Sequence, residues 1–215
     1  SYGIDFEGKR VYSGQSKLID LLEKVQKIEG LKRIRIGSLE PRIVTEEFAR
    51  RLAALDKVCP HFHLSLQSGS DATLKRMNRH YTPGEYLNGV EELRKAFVNP
   101  AITTDVIVGF PGETEEEFEE TISLIEAVRY DSLFTFIFSP RHGTPAASME
   151  DLTPKEEKSR RFDKLCAVQN RISEEIHAAY VGRRLRCLVD GIDGDQLTSR
   201  TEGGRLVRFE GDPSL

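Results

Sequence analysis

The chain has 215 residues, a formal net charge of −4 and a sequence pI near 5.8, and 38% of its residues are hydrophobic. This length and hydrophobic content suffice for one domain of medium size with a small additional module. No apolar stretch approaches the roughly 20 residues that span a bilayer, and the polar opening "SYGIDFEGKR" does not resemble a signal peptide, so neither a membrane partner nor secretion is expected. The sparse, widely spaced cysteines Cys59, Cys166 and Cys187 are typical of the reducing cytoplasm, which is the expected location.

Four short segments rich in β-forming residues alternate with helical patterns. They are "RIRIGSLEP" (33–41), "HFHLSLQSG" (61–69), "AITTDVIVGF" (101–110) and "SLFTFIFSP" (132–140). Threonines at 45, 82 and 114 precede the intervening helices as N-caps. The alternation predicts right-handed βα units and a parallel sheet, open or curled into a barrel. The helix "KLIDLLEKVQKI" comes before any strand, so we expect the chain to begin inside a larger α/β unit.

The pattern changes after residue 150. One long amphipathic helix is predicted, ending at Gly182, with an apolar stripe formed by Phe162, Leu165, Val168, Ile172 and Ile176. The segments "RRLRCLVDGI" and "RLVRFEG" then predict strands of a small, incomplete β-module. The predicted organisation is an α/β part over 1–150, a connecting helix over 151–181 and a β-module over 182–215.

Polar side chains concentrate where the predicted strands end, and parallel α/β folds bind their ligands at that edge. Alternation in the second strand gives a polar face of His61, His63, Ser65 and Gln67. That face either lines a barrel that holds a ligand or belongs to an edge strand exposed to solvent. Asp105 lies mid-strand, where a charge costs several kcal/mol unless it is paired or hydrogen-bonded. It is therefore either a satisfied structural aspartate or a contact to a polar ligand such as sugar hydroxyls.

Two other sites are suggested by short patterns. His61 and His63 form an H-x-H pair that suits a metal-dependent hydrolase barrel, but such a site needs ligands from other strands, and we expect no metal site in this chain. The turn over 109–112 lacks the Lys-Ser/Thr of a nucleotide loop, and Pro111 has no N–H to donate. Acids at 113 and 115–117 would also repel a phosphate, so the turn is predicted to be a structural corner.

Three long motifs closely resemble the radical S-adenosylmethionine methylthiotransferases. They are "CPHFHLSLQSGSDATLKRMNRHYT" (59–82), "TTDVIVGFPGETEEEFEET" (103–121) and "FSPRHGTPAA" (138–147), and the similarity runs from about residue 1 to 210. The resemblance implies a partial radical-SAM (βα) barrel, here incomplete at its N-terminal side, then a long helix and part of a TRAM-like β-module. It also implies S-adenosylmethionine and two [4Fe–4S] clusters as cofactors of the whole protein.

The cluster motif Cys-x3-Cys-x2-Cys of that family does not occur in these 215 residues. We therefore expect a piece that has no radical chemistry by itself and carries no catalytic residue. The resemblance does imply cofactor contacts, because Gln67, Arg79 and Asp105 match the spacing of residues that hold S-adenosylmethionine in related enzymes. Gln67 and Asp105 suit ribose hydroxyls and Arg79 suits the methionine carboxylate. Further contacts are assigned to Ser38, Ser68 and Ser70.

The family modifies transfer-RNA adenosine 37 bearing an isopentenyl or a threonylcarbamoyl group, or an aspartate of a ribosomal protein. "SLEP" (38–41) and the first motif favour the threonylcarbamoyl substrate, whereas "YDSLFTFIFSPRHGTPAA" (130–147) favours the isopentenyl alternative. The implied partners are tRNA and an electron donor. RNA contacts are predicted at Arg183, Arg184, Arg200 and Arg205. A second candidate surface comprises Lys158, Arg160, Arg161 and Lys164, unless these form an ordinary solvated helix face. A catalytically inactive RNA-binding module remains the alternative of another class.

Overall fold

The structure is a computed structural model that describes residues 17–212. The opening of the predicted α/β part, residues 1–16, lies outside the described residues. Within the described range the helices are α1 (Lys17–Val25), α2 (Glu46–Ala53), α3 (Asp71–Arg76), α4 (Pro83–Ala96), α5 (Glu115–Val128) and α6 (Lys155–Ala178). The strands are β1 (Ser38–Leu39), β2 (His61–Leu64), β3 (Ala101–Val108), β4 (Ser132–Ile137), β5 (Cys187–Asp193), β6 (Gln196–Thr201) and β7 (Leu206–Phe209). Short 3-10 turns occupy Pro41–Ile43 and Pro145–Ser148.

Strands β1 to β4 form one parallel sheet in sequence order. One face of the sheet packs beneath the helices and forms the main core. Its fully buried members include Phe48, Phe62, Leu64, Ile102, Val106, Phe118 and Leu165. Parallel neighbours need a crossover, and α3 with α4 and then α5 supply the crossovers from β2 to β3 and from β3 to β4. The carboxyl ends of the strands consequently lie together at one edge.

The threonine caps fix where the main helices begin. Thr45 accepts a hydrogen bond from the first turn of α2. Thr82 with Glu85, and Thr114 with Glu117, form complete capping boxes at the starts of α4 and α5. Each box satisfies backbone N–H groups that the helix itself leaves unpaired. All three predicted caps are confirmed.

Strands β5 to β7 form a separate antiparallel meander, called here the β-module. It lies against the amino ends of the parallel strands. The guanidinium of Arg33 donates to the Arg200 carbonyl at 2.7 Å, and that of Arg35 donates to the Thr201 carbonyl at 2.7 Å. A Cβ added at Gly204, which has φ +88°, would lie 3.1 Å from the His61 ring, so the β6–β7 turn approaches the first residue of β2 closely. The three-part division at residues 150 and 181 stays a prediction.

Helix α6 runs the length of the sheet between these two ends. Lys158, near its start, packs against Gly109, which follows β3. Further along, the Gln169 amide donates to the Tyr130 carbonyl at 2.8 Å, just before β4. The buried Leu165 and Ile172 between them belong to the core. The helix therefore connects the carboxyl edge of β3 with the amino edge of β4.

Candidate functional site

Within residues 17–212, the face of the parallel sheet opposite to the core is exposed along β4, and it is called here the open face. The strand register places Ser38, His63 and Thr103 in one row across the sheet, and Asp105 beside Phe134 in the next. Because side chains alternate along a strand, these residues share a face opposite to the buried core. Phe134 is 54% exposed and Phe136, two residues further along β4, is 51% exposed. Two large aromatic side chains exposed side by side form an apolar patch of the kind that marks binding surfaces.

His63 and Asp105 form a hydrogen-bonded pair on this open face. Asp105 Oδ2 lies 3.2 Å from His63 Nε2, and Thr103 Oγ1 lies 3.1 Å from His63 Nδ1. The Asp105 side chain remains 31% exposed, so the carboxylate is held on one side and accessible on the other. The two readings of Asp105 from sequence are thus compatible, since the residue has a structural partner and still faces outward. The role of His63 as that partner was missed, although alternation had placed it on the polar face.

Gln67 adopts an uncommon backbone conformation beside Asp105. Its φ is +72°, in the left-handed region that residues other than glycine rarely occupy. The conformation is imposed by two hydrogen bonds to β3, from Gln67 N to the Asp105 carbonyl and from Ile107 N to the Gln67 carbonyl, both 2.9 Å. Backbone strain of this kind tends to cluster at functional sites. The structure therefore brings Gln67 and Asp105 together at the carboxyl edge.

The loop that follows Gln67 packs against α5. Gly69 N donates to Thr121 Oγ1 at 2.9 Å, and Ser68 Oγ lies 3.3 Å from the same oxygen. A Cβ at Gly69 would come within 2.6 Å of the Thr121 Cα, so only glycine allows this approach. Ser68 and Ser70 are both fully buried. Their assignment as cofactor contacts stays a prediction, and the packing shown here gives Ser68 a structural role as well.

The two remaining predicted contacts are exposed. Ser38 lies on β1 beside His63 in the register. Arg79 follows α3, where its backbone N–H donates to the Leu74 carbonyl at 2.9 Å. Nearby, the Tyr81 hydroxyl is 2.8 Å from the carbonyls of both Ser65 and Leu66. Burial raises the pKa of Tyr81 to about 12, so this hydroxyl stays a neutral donor that fixes the end of β2.

The corner after β3 is closed by a carboxylate of the protein itself. Glu113 Oε2 accepts from Gly109 N at 2.7 Å and from Arg161 Nη1 at 3.0 Å. The side chains of Glu113 and Arg161 are only 1% and 6% exposed. Burial raises the pKa of Glu113, although the Gly109 N–H and Arg161 act in the opposite direction. The N–H that a phosphate would need is already used, which agrees with the interpretation of this turn as a structural corner.

Intramolecular ion pairs occupy the basic residues of α6. Their partners lie mostly on α5 and the preceding turn: Lys158 with Asp151, Arg160 with Glu115, Arg161 with Glu113, and Lys164 with Glu119. Arg160, Arg161 and Lys164 hold α6 against α5 and the turn before it, whereas Lys158 pairs with an acid seven residues earlier in the chain. The pairs with α5 were not among the alternatives considered from the sequence, because those acids lie about 45 residues earlier. The use of this row in RNA binding stays a prediction.

The four arginines predicted to contact RNA differ in their surroundings. Arg200 pairs with Asp190 at 3.0 Å, and Arg205 pairs with Asp131. Arg183 and Arg184 lie exposed in the segment between α6 and β5. Their role in RNA binding stays a prediction.

The sequence profile of the radical SAM superfamily matches residues 13–125. The chain belongs to the radical SAM superfamily. Enzymes of this superfamily use S-adenosylmethionine and a [4Fe–4S] cluster, which confirms the predicted types of cofactor. The family match covers β1 to β3 with the helices between them, and it includes Gln67, Arg79 and Asp105.

Curated relatives extend the similarity over the whole chain. The chain is 46% identical over 99% of its length to tRNA-2-methylthio-N(6)-dimethylallyladenosine synthase of Clostridium botulinum (strain Loch Maree / Type A3), and 45% identical over 100% to the enzyme of that name from Geobacter sulfurreducens. It covers 46% and 47% of those two proteins, so the chain spans about half the length of the curated relatives it matches.

Solved structures confirm the α/β class and the partial barrel. Coproporphyrinogen III oxidase from Escherichia coli, a radical SAM enzyme, has a TM-score of 0.58 at 15% identity, over 89% of this chain and 54% of that one. Methylornithine synthase has a TM-score of 0.51 at 17% identity, over 71% of this chain and 43% of that one. These likenesses concern the fold alone. None of the helices within residues 17–212 is both long and apolar enough to cross a membrane.

The described residues fit one of the two cofactors. Asp105 presents an accessible carboxylate, which suits hydroxyl and amino groups of S-adenosylmethionine. Gln67 meets Asp105 through its backbone, is only 7% exposed and pairs with the buried Val106, so the predicted contact of its amide with the cofactor stays a prediction. Residues 17–212 contain no group of three or more His, Cys, Asp or Glu side chains arranged to hold a metal ion. His63 pairs with Asp105, and the Gly204 turn of the β-module lies close to the His61 ring. That the cluster ligands lie outside this chain stays a prediction from the sequence.

Proposed function

We propose that this chain is the cofactor- and substrate-binding part of a radical SAM tRNA methylthiotransferase that modifies N6-dimethylallyladenosine, the isopentenyl substrate. The observation that carries the proposal is the identity of 45–46% over essentially the whole chain to enzymes named for that product. The threonylcarbamoyl substrate favoured by the sequence motifs gains no support from these names, and the isopentenyl alternative fits better. The modified position, adenosine 37 of the anticodon loop, and the electron donor belong to the same proposal.

The side chains on the open face of the sheet suit a substrate adenosine whose N6 substituent is uncharged. A dimethylallyl group is apolar, whereas a threonylcarbamoyl group carries a carboxylate that would need a cation. Phe134 and Phe136 present exposed aromatic surface on this face, and the carboxylate of Asp105 lies beside Phe134 in the register. Aromatic surface favours the apolar group, and the neighbouring negative charge disfavours an acidic one.

Three residues are proposed to hold the cofactor. Gln67 and Asp105 would bind the ribose hydroxyls and Arg79 the methionine carboxylate, with a further contact from Ser38. When bound, S-adenosylmethionine would supply the radical and methyl-transfer chemistry. The contribution of this chain is orientation, because the contact with His63 fixes the direction of the Asp105 carboxylate before the cofactor arrives.

The proposal is tested by mass spectrometry of tRNA nucleosides after deletion of the gene that encodes this chain. We expect methylthio-dimethylallyladenosine to disappear and unmodified dimethylallyladenosine to accumulate, while methylthio-threonylcarbamoyladenosine stays unchanged. Complementation with the wild-type gene should restore the product. Loss of the methylthio group from the threonylcarbamoyl nucleoside instead would overturn the choice of substrate.

The same experiment separates an enzyme from an inactive RNA-binding module. If the nucleosides do not change on deletion while the purified full-length protein still binds tRNA, the catalytically inactive alternative is correct. A complementing gene with Asp105→Asn should fail to restore the product, and one with Asp163→Asn, a change of the same kind at an exposed position of α6, should restore it.

A further inference from the structure

A cleft of about 340 Å³ lies where the β-module meets the amino end of the parallel sheet. Its charged lining residues are Lys32, Arg33, Lys57 and Arg186 on the basic side, and Asp56 and Glu202 on the acidic side. Four cations against two acids give the cleft a local charge of +2, in a chain whose net charge is −4. A local field opposite in sign to that of the whole chain attracts anions to this place.

A second groove of similar size does not share this excess of positive charge. It lies between α2 and α4, has a volume of about 390 Å³, and its charged lining residues are Arg50, Lys95, Glu46 and Glu92. Two cations and two acids cancel there. The second groove therefore supplies a matched control that has no net charge.

The cations of the cleft divide into fixed and accessible groups. Arg33 donates to the Arg200 carbonyl at 2.7 Å, and Lys57 Nζ donates to the Ile28 carbonyl at 3.0 Å. Both form part of the wall. Lys32 and Arg186 are exposed. Ammonium and guanidinium groups in such positions are suited to phosphate oxygens, which accept several charge-assisted hydrogen bonds at once.

Two cysteines, Cys59 and Cys187, also line the cleft. Burial raises the pKa of the Cys59 thiol, so this side chain stays protonated at neutral pH. Cys59 consequently does not offset the positive charge of the neighbouring lysines and arginines. Asp56 and Glu202 are therefore the acidic residues of the lining that set its charge against the four cations.

The distance between the cleft and the carboxyl end of the sheet favours a polymeric anion over a small one as the occupant of the cleft. Cys59 lies at the amino end of β2, and Gln67 at the other end is eight residues further on, at most roughly 26 Å at ~3.3 Å per extended residue. A small phosphate in the cleft could not reach the cofactor end, whereas a nucleic acid repeats its phosphates over such a distance. We propose that this cleft binds phosphodiester groups of the substrate RNA while the reacting adenosine lies at the carboxyl end. This inference rests on the proposed function, in that the substrate is an RNA.

The test is the salt dependence of RNA affinity. Fluorescence anisotropy would follow full-length protein binding to a labelled anticodon stem-loop between 50 and 300 mM salt. Replacing Lys32→Gln together with Arg186→Gln should weaken binding about tenfold near 100 mM salt. It should also reduce the slope of log K against log salt by about 1.4 to 1.8, since each lost phosphate contact removes roughly 0.7 to 0.9. The control pair Arg50→Gln with Lys95→Gln should leave both quantities unchanged.

Three results would overturn the inference. The first is an unchanged slope in the Lys32/Arg186 variant, and the second is an equal decrease in the Arg50/Lys95 variant. The third is loss of inorganic tripolyphosphate binding with RNA affinity intact, which would show that the cleft serves a free phosphate compound. Retained S-adenosylmethionine binding verifies that the variants are folded. If the slope falls as expected but deletion of the gene changes no nucleoside, the proposed function fails and the RNA-binding cleft stands.

Discussion

The two ends of the parallel sheet use their polar groups in opposite ways. At the amino end, Asp131 accepts from Ile102 N at 3.0 Å and pairs with Arg205, so its carboxylate is consumed in holding the β-module. At the carboxyl end, Asp105 has one histidine partner and remains accessible, beside Gln67 in a left-handed conformation. Two aspartates on neighbouring βα units thus differ in role, since Asp131 holds the β-module in place and Asp105 is the residue proposed to bind a ligand. Substitution at the first should cost stability, and substitution at the second should cost affinity.

The largest effect is expected from Asp131→Ala. It leaves the Arg205 guanidinium, whose side chain is 16% exposed, without its carboxylate and removes the acceptor for Ile102 N. Removing one partner of a mostly buried pair leaves an uncompensated charge, so we expect a loss of about 2–3 kcal/mol in local stability. Hydrogen exchange in the full-length protein should show this as roughly 30- to 150-fold faster exchange in β6 and β7.

A matched double variant keeps the hydrogen bond from Ile102 N and removes the charges of both Asp131 and Arg205. Asp131→Asn together with Arg205→Met should recover most of the protection, because no unpaired charge remains. Exposed Asp163→Ala on α6 should have no effect. Normal protection of β6 and β7 in Asp131→Ala would show that the amino end is not held in the way described.

At the carboxyl end, Asp105→Asn should reduce affinity without reducing stability. An amide retains the shape but loses the charge-assisted hydrogen bonds to ribose hydroxyls, and we expect a loss of about tenfold to a hundredfold in S-adenosylmethionine affinity. Calorimetry on the reconstituted full-length protein measures it, with Asp163→Asn as the control. Unchanged affinity in both Asp105→Asn and Arg79→Ala would remove the cofactor assignment.

A smaller effect is expected at the aromatic surface of the open face. Phe134→Ser removes exposed apolar area, so it should leave stability nearly unchanged and lower kcat/KM for dimethylallyl-containing RNA by about fivefold to tenfold. RNA that carries unsubstituted adenosine should be affected less, because the lost contact is to the substituent. An equal decrease for both RNAs would mean that Phe134 does not sense the dimethylallyl group.

The smallest effect is a pH dependence at the amino end. Burial, reinforced by Arg35, lowers the pKa of His61 below its ordinary value of 6.5. The folded state therefore resists protonation, and the stability contributed by neutral His61 is complete above pH 6.5 and is lost as pH falls through the folded-state pKa. Exchange in β6 and β7, corrected for intrinsic rates, should accelerate a few-fold between pH 7.5 and 5.5. The variant His61→Gln should lack this acceleration.

Local sequence signals predicted the elements of the fold well. Thr45, Thr82 and Thr114 marked helix starts because N-caps act within three residues, and the apolar stripe of α6 identified a helix that buries Leu165 and Ile172. Alternation likewise placed His63 on the polar face. These features depend on short-range geometry that a sequence displays directly.

Long-range partners could not be predicted in the same way. The contact between His63 and Asp105 joins residues 42 positions apart, and that between Arg161 and Glu113 joins residues 48 positions apart. Each depends on strand register or helix packing, which emerges only when the sheet is assembled. A usable signal did exist for the aromatic surface, since Phe134 and Phe136 alternate in "SLFTFIF", but nothing local shows that their side of the sheet is uncovered.

Helix α6 links the two ends of the sheet mechanically. Its 24 residues, at 1.5 Å each, form a helix roughly 36 Å long. One end is clamped by Arg161 to the corner after β3, and Ser173 near the other contacts the Asp131 carbonyl at 3.3 Å. A helix held at both ends keeps the β-module at a fixed distance from the carboxyl edge of the sheet. The proposed RNA-binding cleft would then stay in constant alignment with the proposed cofactor site.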